Sequence, residues 1–312
     1  MPKINQPRSG TLQYWPRKRI NKFIPSVNWT AIPSNNVGLQ GFIAYKVGMK
    51  SAFVKDNTAD SLTKGKRIAI PVTILEAPTI KIFSVRFYKY GRVMTEVFSE
   101  NTDKELRKKV KIPKVYKKNI DDVKDFDDIR VLVYSQVKKT GLKKSPDIAE
   151  IALGGNVEEK LKFVKEHIGK EIFVKDIFKK NSLIDVRGLT KGKGLQGPVK
   201  RFGISLKFHK SEKGQRRPGS LGPWHPSRVA RFAPQAGQLG MFTRNFYNLK
   251  IVDLGNNPEL FKNIHKYGNV RNDYLIVSGS VPGPAKRQLL ITAPLRKTKK
   301  QEKKNYELVD IR

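Results

Sequence analysis

The fold class predicted for this chain is mainly β: a closed β-barrel body, interrupted by an inserted α+β region and carrying two irregular basic extensions. Three observations predict it. Short runs of β-branched and aromatic residues recur between glycines. A central stretch changes to mixed charge and helical spacing. Two further segments concentrate positive charge and show no sustained periodicity.

The elements follow in chain order. Residues 1–40 are an N-terminal basic extension: no acid precedes Asp56, and the run from Gln6 to Arg19 holds two prolines and little pattern. Strands are expected at Phe42–Val47, Ile68–Leu75 and Ile80–Tyr88, making 41–90 the first part of the barrel. Residues 91–182 are the insertion, where charge is mixed: over 91–185, 22 basic residues face 17 acidic ones. In it, Val157, Leu161, Val164 and Ile168 share one face of a helix. Asn156 is placed to cap that helix, Glu158 and Glu159 sit at its positive end, and Gly169 is placed to end it. Shorter helices are expected at 102–109 and 121–128, and a strand at Ile129–Val133. The second part of the barrel, 183–295, has strands at Leu183–Leu189, Leu249–Leu254, Tyr274–Val281 and Gln288–Thr292. A central loop at 204–247 divides it. Short strands with frequent turn residues favour a closed barrel over an open sheet. Residues 296–312, rich in Lys and poor in turn signals, are expected to form a tail.

Composition restricts the function. The 312 residues include 63 Lys+Arg against 27 Asp+Glu, a formal charge of +36. Such a charge destabilises a compact isolated state by self-repulsion and calls for a polyanion, of which nucleic acid is the densest. No apolar run approaches the roughly 18 residues of a membrane span, and the N-terminus lacks the apolar core of a signal peptide, so a cytoplasmic protein with no membrane partner is expected. The absence of cysteine removes disulfides, thiolate nucleophiles and Cys-based zinc sites. The four histidines, His167, His209, His225 and His265, are not spaced as metal ligands, so neither metal nor cofactor is expected.

The distribution of charge narrows the choice. Residues 186–250 hold fourteen Lys/Arg and one acid, Glu212. Within them, 207–245 is a 39-residue stretch without regular structure, uncommon inside a compact domain. It buries too little to offset an ordering cost of about 1–2 kcal/mol per residue, so a partner must order it. A flexible tail without a partner is the plain alternative, against which stand Trp15, Trp224, Phe232 and Phe242.

Gly192-Lys-Gly-Leu-Gln-Gly197 matches a dinucleotide-binding glycine pattern, but Pro198 to Gly203 reads as extended where that fold needs a helix. Glu212 lies at the offset of a ribose-binding acid, yet no strand carries it. The alternative is a tight turn that lets backbone approach a phosphate, with Lys191, Lys193, Lys200 and Arg201 supplying charge. A barrel turn with incidental lysines remains open. Gly-Leu-Gln-Gly also occurs at 38–41, each copy expected to lead into a strand, as a pseudo-repeat or by coincidence.

Gln215 to Pro226 is the most informative stretch. Arg216 and Arg217 can fork onto phosphate, and Trp224 can stack on a base or sugar. Core packing of Trp224 is the competing reading. His225 and Ser227 have no acid near them in sequence, so no catalytic triad forms. The Asn28-Trp29-Thr30 sequon is a chance match without a signal peptide.

The chain as a whole resembles the universal large-subunit ribosomal protein L-three family, in its archaeal and eukaryotic branch. The resemblance runs through 41–49 (GFIAYKVGM), 185–203 (DVRGLTKGKGLQGPVKRFG), 219–229 (GSLGPWHPSRV), 236–240 (AGQLG) and 279–287 (GSVPGPAKR). It implies a non-enzymatic structural constituent of the large ribosomal subunit. Its partners would be large-subunit ribosomal RNA and neighbouring ribosomal proteins, with no small-molecule substrate. It also implies an early role in subunit assembly, and a loop tip, Trp224 by motif match, near the aminoacyl-tRNA side of the peptidyl transferase centre. With the basic segments it marks as RNA-binding Arg8, Arg17, Lys18, Arg19, Lys191, Lys193, Lys200, Arg201, Lys207, Lys210, Arg216, Arg217, Trp224, His225, Arg228, Arg231, Gln238, Arg244, Lys286 and Arg287. Some relatives carry Trp where this chain has Phe202, and 255–270 matches loosely, so no contacts are assigned there. Two rival classes are a barrel-based RNA-modifying enzyme, which needs a nucleophile, metal or cofactor site, and a free RNA chaperone or translation factor.

Overall fold

The structure is a computed structural model that describes residues 14–33, 37–113 and 118–312. In chain order its elements are β1 (Gly38–Leu39), β2 (Gly41–Asp56), β3 (Arg67–Glu76), β4 (Ile80–Lys89), β5 (Arg92–Phe98), β6 (Asp128–Ser135), β7 (Ile148–Gly154), α1 (Val157–His167), β8 (Glu171–Ile172), β9 (Leu183–Leu189), β10 (Gly194–Gln196), α2 (Pro198–Phe202), β11 (Gly237–Leu239), β12 (Thr243–Gly255), β13 (Tyr274–Ser278), β14 (Gln288–Thr292), α3 (Lys299–Glu302) and β15 (Tyr306–Ile311). The protein is mainly β with few helices. It divides into two compact units: a larger one of 24–188 and 244–312, and a smaller one whose described residues are 14–23 and 189–243.

In the larger unit β2 organises one sheet. Its first half pairs with β14, from Tyr45 opposite Gln288 to Gly41 opposite Thr292. Its second half pairs with β15, from Asp56 opposite Tyr306 to Ala52 opposite Ile311, while β3 runs along its other edge. Pairing then passes from β3 to β13, β12, β9 and β14, so the order is ring-like, with β15 outside the ring. Gly41 opens β2 because a Cβ there would lie 2.9 Å from the Trp29 ring and 3.0 Å from the Ile291 carbonyl.

The second sheet runs β1-β7-β6-β4-β5, with β8 beside β4. This corrects one grouping, because Ile80–Tyr88, expected with the barrel, is β4 between β5 and β6. An irregularity between Ile82 and Ser84 shifts the alternation of β4, so Ile82 and Val85 reach the same core. Ile82, Val85 and Phe87 join the main core with Phe42, Ile43, Leu75, Val131, Val186 and Leu290, whereas Phe83 packs with Leu106, Leu132 and Tyr134. An apolar run of this kind does not reveal which sheet will receive it.

Helix α1 forms as the spacing predicts, with a capping box between Asn156 and Glu159, and Gly169 follows at φ 72°. Other expectations change. Residues 104–108 form a 3₁₀ turn, and 121–127 hold no helix. In that segment the Asp122 carboxylate accepts the Asn119 amide at 3.2 Å, a local bond that competes with helix, and the Asp127 carboxylate accepts the amide of Tyr90, distant in sequence, at 2.7 Å. Pro198 to Phe202, read as extended, is helical: Pro198 occupies the first helical position and Gly203 closes the turn at φ 68°. The second Gly-Leu-Gln-Gly therefore leads into a helix, not a strand. The expected tail also folds. Tyr306, Leu308 and Ile311 pack on the second core cluster, which explains why β15 joins β2.

Candidate nucleic-acid interface

The smaller unit holds fifteen Lys/Arg and one acid, Glu212, in its described residues. Its ordered part is built on β10 and β11, an antiparallel pair with Leu195 opposite Gln238. Gly240 follows at φ 80°, where a Cβ would stand 2.0 Å from the Lys191 carbonyl, so only glycine lets the two segments approach.

A cluster of rings and guanidinium groups joins the N-terminal segment to this pair. The Trp15 and Phe202 rings stack with centroids 6.2 Å apart, and the Arg17 guanidinium lies 4.3 Å from the Phe202 centroid. Arg17 Nη1 donates to the Arg201 carbonyl at 2.8 Å. Arg201 in turn donates Nε to the Gln238 carbonyl and Nη1 to the Gln235 carbonyl, both at 3.0 Å, and Nη2 to the Arg17 carbonyl at 3.5 Å. Burial lowers the Arg201 pKa from its ordinary value, yet a guanidinium stays charged. Arg17 and Arg201 are thus positioned to hold backbone together.

The remaining marked residues of this unit separate into two kinds. Lys18, Arg19, Lys191, Lys193, Lys200, Lys207, Lys210, Arg216, Arg217, Trp224, His225, Arg228 and Arg231 are exposed, and none of these cations makes an ion pair among the described residues. Trp224 is 84% exposed, which removes the core-packing reading. Gln238 is half-buried and its amide donates to the Leu239 and Gly240 carbonyls at 3.2 Å. Between 204 and 236 the backbone bonds are short-range turns, such as Lys207 N to Gln215 O at 3.0 Å and Arg228 N to Pro226 O at 2.7 Å. Only Ala233 there is a buried apolar residue.

Arg244, Lys286 and Arg287 belong to the larger unit. Lys286 is exposed, and Arg287 is half-buried with its pKa lowered by burial. Their backbone is tied to β2 by Lys286 N to Lys46 O at 2.7 Å and Lys46 N to Arg287 O at 2.9 Å. Arg8 lies outside the described residues. Sequence reasoning missed the bracing part played by Trp15 and Phe202. The available signal was two aromatic–arginine neighbours, Trp15 with Arg17 and Arg201 with Phe202.

The glycine-rich segment offers no dinucleotide site in this arrangement. Helix α2 spans five residues and follows a two-stranded antiparallel pair, not a parallel β-α-β unit.

The family model described as ribosomal protein L3 matches residues 1–311. The chain belongs to the ribosomal protein L3 family. It is similar to the large ribosomal subunit protein uL3 of Methanocaldococcus jannaschii, 41% identical with 94% of this chain and 92% of that one covered. The uL3 proteins of Methanococcus vannielii and Archaeoglobus fulgidus are 40% and 39% identical, covering 94% and 95% of this chain and 92% and 94% of theirs. Membership makes the chain a structural, non-enzymatic constituent of the large ribosomal subunit, and so a ribosomal protein of the cytoplasm.

Proposed function

We propose that this chain binds large-subunit ribosomal RNA through its smaller unit, with Arg244, Lys286 and Arg287 of the larger unit as further contacts. The observation that carries the reading is a segment, 204–236, with seven Lys/Arg, one acid and almost no buried apolar residue. Unpaired cations on a loop of local turns match a polyphosphate partner. The exposed Trp224 indole provides a stacking face beside Arg216, Arg217, His225 and Arg228 in sequence. The Arg17–Trp15–Phe202–Arg201 cluster presents that loop from a braced base, and Arg8 lies in the segment expected to continue the basic surface.

On this reading the chemistry of the ribosome stays with RNA, and the protein neutralises and orients it. Early assembly and a place for Trp224 beside the peptidyl transferase centre are the roles that the family resemblance suggests. Contacts with neighbouring ribosomal proteins belong to the same proposal, as does a ring of pairings closed into a barrel that carries the loop.

The test is binding of the full chain to a fragment of large-subunit RNA across salt, with limited proteolysis in parallel. Affinity should fall roughly 10³-fold or more between 50 and 200 mM salt if six or more phosphates are engaged. RNA should also protect 204–236 from cleavage. A flat salt response with equal cleavage would refute the proposal.

A further inference from the structure

The insertion carries only a small net charge, yet its charges are sorted in space. The 3₁₀ turn at Lys104–Lys108 is fastened by Leu106, which is fully buried against Phe83, Leu132 and Tyr134. Both neighbouring acids are engaged. Asp103 accepts Tyr134 Oη at 2.8 Å and Lys81 Nζ at 3.1 Å, and Glu105 accepts Lys138 Nζ at 2.6 Å. The cations of the same segment are not engaged. Lys104, Arg107, Lys108, Lys109 and Lys111 are all exposed, and none of their side chains has a hydrogen-bond or ion-pair partner among the described residues. Nearby lysines behave differently: Lys138, Lys139 and Lys143 each hold a carboxylate.

Five unpaired cations within eight residues, on a turn pinned at its centre, make a rigid cationic knob. Leu106 and Ile112 pack on the core cluster and Val110 is half-buried, so no large apolar side chain of the turn is exposed to receive a lipid or an apolar protein groove. Two cations three residues apart on a 3₁₀ turn lie above one another, as Lys104 and Arg107 do, and can follow a phosphate backbone.

We infer that the turn at 104–111 is a second RNA-binding surface, built on the insertion and separate in sequence from the central loop. It rests on the ribosomal RNA reading above and extends it to a region whose overall charge is nearly balanced. The partner is the sugar–phosphate backbone of RNA, held without base recognition.

The experiment compares the full chain with a variant carrying Arg107→Gln, Lys108→Gln, Lys109→Gln and Lys111→Gln. Binding to large-subunit RNA is measured across salt. Each lost phosphate contact removes about 0.7–0.9 from the logarithmic salt slope, so the slope should drop by about 3. The affinity loss between 50 and 200 mM should then shrink by roughly 60-fold. An unchanged slope in the variant, with the parent chain steeply salt-dependent, overturns this surface alone. A parent chain with no salt-dependent binding overturns the wider RNA reading instead. In assembled large subunits, Lys108 and Lys109 should cross-link to nucleotides. Cross-links to peptide alone would also overturn the inference.

Discussion

Replacing Arg201 separates a residue that braces the protein from one that binds phosphate. Its guanidinium donates to three backbone carbonyls, those of Gln238, Gln235 and Arg17. Hydrogen bonds from a charged group are worth about 1.5–3 kcal/mol each. The side chain is only partly buried, and water can reach the freed carbonyls. The expected loss for Arg201→Ala is therefore about 2–3 kcal/mol, well below the sum of three such bonds. That loss falls on opening of the β10–β11 pair, so the assay is native-state hydrogen exchange, read at the β10 and β11 amides and at Lys193. Those amides should exchange roughly 30- to 150-fold faster. Arg201→Lys keeps the charge but cannot reproduce the fork. It should lose about 1.5–2 kcal/mol, close to the alanine value. The reasoning fails if Arg201→Lys retains exchange protection within about threefold, while Arg201→Ala mainly lowers the salt slope of RNA binding.

Further perturbations test neighbouring parts. Trp224→Ala should leave the melting temperature of the free chain unchanged, because the ring is 84% exposed, and should weaken RNA binding by about 1–3 kcal/mol if the indole stacks on a base. A large fall in melting temperature would contradict that. Leu106→Ala should cost about 2–5 kcal/mol in chemical denaturation, since the side chain is fully buried; a loss below 1 kcal/mol would mean that the turn is not pinned there. Gly240→Ala should disrupt the β10–β11 pair, because the new methyl group would collide with the Lys191 carbonyl; exchange of those amides at the parent rate would refute it. The Asp103 carboxyl is raised by burial but lowered more by Tyr134 and Lys81, and its net pKa falls below the ordinary 3.8. A folded value below the unfolded one stabilises above that unfolded value, and the gain disappears as pH falls through the folded pKa. Asp103→Asn should therefore flatten the acid limb of the stability curve below about pH 4 and leave its slope at neutral pH unchanged. An unaltered acid limb would exclude this contribution.

Local patterning made much of the fold legible. β9 and β14 fall on the expected residues, and α1 begins at the expected cap. These segments combine strong periodicity with clear end signals, so short-range physics decides them. The sheet that receives β4 was not legible, because its apolar residues suit either sheet and long-range pairing makes the choice. The 296–312 segment read as a tail for a related reason. Its lysines dominate the composition, while Tyr306, Leu308 and Ile311 find their core only against residues distant in sequence, where β15 pairs with β2.

The candidate site shows the same division. Charge concentration at 186–250 and the prominence of Trp224 were visible in the residues alone, because an unpaired charge excess and an isolated indole need no fold to be recognised. The sequence likewise determined a mainly β chain, the insertion helix and the absence of thiol chemistry. Tertiary structure alone decided that Arg17 and Arg201 serve the backbone, and that the acids beside Lys104–Lys111 are already engaged. Whether a charge is spent inside the protein or left for a partner depends on neighbours distant in sequence: Lys138 lies 33 residues from Glu105 and Gln238 lies 37 from Arg201. Counting charges along a chain cannot register those pairings. Only the folded geometry brings the partners within hydrogen-bonding distance.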